Sequence, residues 1–164
     1  MQLADRKLFW LGWISLVCGV GFYAIARPRS STYFFGKWLP MASFSRPVKF
    51  PEPFQGSFPD FVHPFAFCLI GIGLLSLERG TRLRICTVFL LIDLFFKIGL
   101  NYKDALVSLI PPWFTGVPLL ENVGPFFLRG TFDVNDVLAM VLGAAMAFVI
   151  SEILTRKHAR GEAR

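Results

Sequence analysis

Six residues in this chain have the types and spacing to do chemistry: Asp60, His63, Asp93, Lys97, Arg129 and Asp136. Asp93 and Lys97 stand four apart, acid first, so on a helix they share one face and can pair. Either charge alone in hydrocarbon costs roughly 2.5 kcal/mol or more, and pairing offsets that cost. The pair is therefore expected to face the interior of a bundle and fix helix rotation, with Lys97 snorkelling outward, or bonding Asp136 across to the fourth run, as the alternatives. Its functional use would be to bind an anionic or polar headgroup. Proton or ion passage would need more intramembrane carboxylates than the chain offers. His63 is expected to hydrogen-bond Asp60 or Asp136. The other histidine, His158, lies in the tail, so two histidines cannot ligate one haem, and a single axial bond from His63 to a haem or pigment is the one cofactor alternative. Cys18, Cys68 and Cys86 sit singly in separate apolar runs, without the spacing of a zinc site or a disulfide framework. They are read as packing residues, and no metal is expected. Neither a GxSxG elbow nor an HExxH helix occurs, so no catalytic residue is assigned and an enzyme is not expected.

The elements that must hold these residues are apolar. The chain is 54% hydrophobic and 17% charged, with a mean hydropathy of +0.56, whereas a soluble domain carries about 25% charged residues. The net charge of +6 comes from scattered basic residues without a continuous block, which argues against nucleic acid and for topology determinants. Four runs are read as transmembrane helices: 8–26, 61–77, 85–100 and 134–154. The first is free of charge over nineteen residues, enough to cross roughly 28 Å, and lacks a signal-cleavage site, so it is read as retained. Trp10 and Trp13 near its start suit an interfacial aromatic belt. Two Pro- and aromatic-rich segments, 27–60 and 101–133, are read as ordered outer loops. Pro28, Pro40, Pro47, Pro51, Pro53 and Pro59 argue against a long helix in the first. Within the second, Lys103 to Ile110 is expected to form a short interfacial helix. Glu78 to Arg84 is read as a tight hairpin, and Thr155 to Arg164 as a frayed basic tail.

The expected architecture is thus all-α: a single membrane domain over 1–164, an integral bundle of four transmembrane helices. With both termini in the cytoplasm, nine Lys/Arg fall in three short inner segments. Seven are spread over outer loops more than twice as long, so the positive-inside rule favours that orientation. Small residues mark helix-packing faces: Ser15 and Gly19 on the first span, Gly71 on the second, and Ala139, Gly143 and Ala147 on the fourth.

The stretch RGTFDVNDVLAMVLGA, holding Arg129, Phe132, Asp136, Ala139 and Gly143, resembles the closing motif of VanZ-like membrane proteins, roughly R-x-F-x-x-x-D-x-x-A-N-x-x-G. DFVHPFAFCLIGIGLL is similar to that family's D-K-x-x-H-F start, and Asp93 falls where the family tends to carry a membrane glutamate followed by glutamine. The resemblance covers roughly 60–147. It implies four spans whose polar residues converge on the outer side of a bacterial cytoplasmic membrane. Its namesake is linked to low-level teicoplanin resistance. Met140 replaces the family's asparagine, Phe96 stands at the glutamine position, and the acid-to-histidine spacing is one residue short. These departures make a non-catalytic accessory subunit, packed in lipid against other membrane protein subunits, the leading expectation. The alternative is an envelope factor that binds a lipid-linked or glycopeptide ligand at the outer face.

Overall fold

The computed structural model describes residues 5–26, 48–51, 54–75, 78–118 and 120–161. Among them the chain is helical, with no strand. Four long helices carry the architecture: α1 (Arg6–Ala26), α2 (Phe54–Leu75), α3 (Arg79–Gly99) and, last in the chain, α6 (Val134–Gly161). Two short ones, α4 (Lys103–Ser108) and α5 (Val123–Arg129), lie between α3 and α6 together with three 3-10 turns.

Helix α2 is the hub, packing on α1, α6 and α3. Close approach rests on small residues. A Cβ added at Gly143 of α6 would overlap the carbonyl oxygen of Phe61 on α2. One at Gly12 of α1 would lie 2.8 Å from the Ala66 carbonyl oxygen. Gly19 faces Val62 of α2, and Gly71 faces Ile85 and Phe89 of α3. Ala147 is buried, Ala139 half-buried, and Ser15 returns its hydroxyl to the Leu11 carbonyl. Gly19, Gly71, Gly143 and Ala147 are thus packed inside this bundle. Leu8, Phe65, Cys68, Leu69, Ile72, Ile85 and Cys86 fill the core between them.

The helix ends depart from the sequence expectation in instructive ways. Helix α2 begins at Phe54, inside the stretch expected to be loop, and holds Pro59 and Pro64 in its interior. Each proline removes a hydrogen bond and crowds the carbonyl four residues back, a cost of ~3 kcal/mol in an ordinary helix. Aromatic packing offsets it here. Phe50, Phe54 and Phe58 close around Phe22 of α1 with ring centroids 4.7–5.6 Å away. Gln55 ties the same corner, its amide donating to the Ala26 carbonyl at 2.8 Å. Helix α3 begins at Arg79 rather than Ile85, so most of the expected hairpin is helix. Helix α6 runs to Gly161, through residues expected to fray. The expected short helix after the third run is present as α4, Lys103–Ser108. Tyr33, Phe34, Phe35, Trp38 and Phe44 of the first aromatic segment lie outside the described residues.

Among the described residues, two helices are long and apolar enough to cross a membrane: α2 and the stretch Val134–Arg156 of α6. The outward faces of the long helices are apolar as well. Trp10, Trp13, Ile14 and Val17 of α1 are exposed, as are Leu91, Phe95 and Ile98 of α3 and Leu138, Leu142 and Val149 of α6.

Candidate functional site: a polar cluster at one end of the bundle

Helices α2 and α6 start at the same end of the bundle, and α3 finishes there. This brings the first part of α2 beside the last turns of α3 and the first turn of α6. Asp133 caps α6 by accepting the Asn135 N–H at 2.9 Å, which fixes where Asp136 stands. Lys97, on the last turn of α3, is buried and reaches both neighbouring helices. Its Nζ lies 2.5 Å from Asp136 Oδ2 on α6 and 3.3 Å from Asp60 Oδ2 on α2. Ser57, one turn before Asp60, donates its hydroxyl to Asp136 Oδ1 at 2.9 Å. One ammonium therefore bridges two carboxylates from different helices, and every charge in that triad has a partner.

Asp93 belongs to a second pair. Its Oδ1 lies 3.0 Å from His63 Nδ1. A carboxylate only accepts, so Nδ1 carries the proton and the Asp93 carboxylate holds the ring from behind. Asp93 is buried, whereas the His63 side chain is 55% exposed, with Phe67 at its edge. Asp93 Oδ2 is buried without a hydrogen-bond partner among the described residues. A buried carboxyl group thus orients an exposed imidazole, an arrangement able to present one ring nitrogen to a ligand.

The pairing expected from sequence is corrected here. Asp93 and Lys97 are both buried but make no ion pair with each other. Two carboxylates on adjacent helices outbid the single one a turn away on α3. His63 bonds Asp93, not Asp60 or Asp136. Arg129 stays outside the cluster, exposed and without an ion pair to a described residue. Helix α5 is anchored by Phe127, which stacks on Phe96 of α3 at 5.9 Å. Two residues further, about 200° around the helix, Arg129 points away. Among the described residues no three His, Cys, Asp or Glu side chains gather in a way that could hold a metal ion.

The opposite end carries a second network that sequence reasoning did not find. Buried Arg82 of α3 donates through Nη2 to Glu152 Oε1 of α6 at 2.5 Å, and through Nη1 to the Ser151 carbonyl at 3.3 Å and Thr155 Oγ1 at 2.5 Å. Arg79 and Arg156 approach the same carboxylate at 3.8 and 3.6 Å. The only hint in the sequence is Glu152 inside an apolar run, three and four residues before Thr155 and Arg156. Nothing in a single-helix period ties it to Arg82, seventy positions away.

Comparison of the chain with protein-family models, with curated proteins and with solved structures finds no match to any of them.

Proposed function

We propose that the protein is a four-span integral membrane protein of VanZ-like type whose polar end binds the headgroup of a lipid-linked or glycopeptide ligand at the outer face, without catalysing its conversion. Both termini lie on the cytoplasmic side in this reading. Besides α2 and α6, helix α1 offers 21 residues with no charge after Lys7. Helix α3 offers 21 residues whose charges past Arg84, Asp93 and Lys97, are both buried. Charges turned inward and large apolar side chains turned outward suit a lipid environment, the reverse of a water-soluble surface. The observation that carries the ligand reading is His63, exposed at the bundle surface yet fixed by a buried carboxylate. A purely structural network would bury both members, as the Lys97–Asp136 pair does. Asp60, one turn away on α2 and partly exposed, stands ready as a second contact.

A second reading, a small accessory subunit beside a larger membrane protein, draws on the apolar face of α3. Val88, Leu91, Ile92, Phe95 and Ile98 are all exposed there. It has lost the support of the small-residue faces, because Gly19, Gly71 and Gly143 are engaged within the chain.

Extraction in mild detergent followed by native mass spectrometry separates the two. The ligand reading expects a small species carrying a polar lipid adduct that is lost in His63→Gln and Asp93→Asn. A stable large complex, unaffected by those substitutions, would favour the subunit and sink the ligand site.

A further inference from the structure

The network at the opposite end holds more positive charge than it uses. Arg79, Arg82 and Arg156 converge on one carboxylate, Glu152. Arg82 satisfies that carboxylate: its side chain is 5% exposed and sits at hydrogen-bonding distance. Arg79 and Arg156 approach it at 3.8 and 3.6 Å, too far for hydrogen bonds, so their N–H donors are not spent on Glu152. Both side chains are more than 70% exposed. Two exposed guanidinium forks from two helices, without a hydrogen bond to a described residue, therefore flank a carboxylate that a third arginine already neutralises.

We infer that Arg79 and Arg156 form a binding site for the phosphodiester of an anionic phospholipid headgroup. The inference rests on the membrane-spanning reading above. Guanidinium forks match phosphate oxygens bidentately, which an isolated ammonium cannot do. The depth fits: Arg79 is the first residue of α3, and Arg156 closes the apolar stretch of α6. Both would stand at headgroup level, one on each side of the α3–α6 contact. The surroundings add to the attraction. The Asp5 N–H bonds the Gly73 carbonyl at 3.0 Å, which brings exposed Arg6 and Lys7 of α1 to this same end, and Arg84 is exposed one turn along α3. Among the side chains described there, the acids are Asp5, Glu78 and Glu152, against Arg6, Lys7, Arg79, Arg82, Arg84 and Arg156.

The test uses the full chain in vesicles of phosphatidylcholine or phosphatidylglycerol, with brominated versions of each lipid quenching tryptophan fluorescence. The expected result is a preference for phosphatidylglycerol of roughly fivefold for each arginine, the effect of about 1 kcal/mol per basic side chain at an anionic surface. Arg79→Gln with Arg156→Gln should lower the preference by roughly fivefold for each arginine removed, leaving the part owed to Arg6, Lys7 and Arg84. Arg79→Lys with Arg156→Lys, which keeps charge and fold, should retain part of it. Lys103→Gln with Arg129→Gln, at the other end, should leave it intact. Equal quenching by both lipids in the parent, or a preference that the double glutamine variant leaves undiminished, would overturn the site. So would loss of the preference on adding inorganic phosphate, which would make it a soluble-anion site instead. Absence of quenching by either lipid would instead overturn the membrane reading itself.

Discussion

Lys97 is the residue on which the polar cluster depends. It is buried and holds Asp60 and Asp136 together from a third helix, so removing it strands two carboxylates. Breaking a buried pair by deleting one partner costs about 3–5 kcal/mol, mostly because the remaining charge is left uncompensated. Lys97→Met should therefore lower stability in detergent by roughly 3 kcal/mol or more. Adding Asp136→Asn to Lys97→Met should recover part of the loss, since it removes one of the stranded charges. Thermal unfolding of the single and double variants checks this. Strictly additive effects would mean that Lys97 and Asp136 are not coupled. Asp93→Asn serves as the comparison: it touches His63 rather than Lys97, so its effect should add to that of Lys97→Met. Asp93 and Lys97 are near neighbours in sequence, yet the cycle should show the stronger coupling across helices.

At the scale of elements, the contact between α2 and α6 depends on the missing side chain of Gly143. Any Cβ there meets backbone, the Phe61 carbonyl, and backbone cannot rotate aside as a side chain tip can. Gly143→Leu should force the two helices apart and destabilise by at least the 1–3 kcal/mol typical of overpacking. It should also disturb the cluster, because Asp60 precedes Phe61 directly. Gly21→Leu on α1 is the control, with open space around its Cβ position. Equal melting temperatures for parent, Gly143→Leu and Gly21→Leu would refute the seam. Helix α2 itself shows how an element can form against its local preference. Two interior prolines argue against it, while contacts with α1, α3 and α6 and the rings around Phe22 outweigh them.

For the molecule as a whole, the two ends differ in chemistry. One gathers arginines around a single glutamate, and the other gathers aspartates around a lysine and an imidazole. With the arginine end in the cytoplasm, a cysteine introduced at Gly116 in a cysteine-free background should react with an impermeant thiol reagent from outside. One introduced at Gly80 should not. Both positions are exposed, so access is decided by the membrane and not by burial. Labelling of Gly80 alone would invert the orientation and place the His63–Asp93 pair on the inner side.

The sequence by itself determined the helical character of the four apolar runs, the small residues that let helices approach, and the polar side chains available to a site. Those properties are local: hydropathy, residue size and the 3.6-residue period are written along one segment at a time. Only the tertiary structure decided which polar groups meet. Spacing put Lys97 and Asp93 on one face, but Lys97 found two carboxylates across the helix interfaces, and Asp93 was left to His63. The same reasoning had no means to join Arg82 to Glu152, because their contact depends on the registry of α3 against α6. It also misplaced the start of α2, since proline content is visible in the chain whereas the aromatic packing that offsets it forms only when α1 and α2 meet. Partner choice in a bundle is a competition among neighbouring helices, and that competition is settled by packing geometry that no single helix encodes.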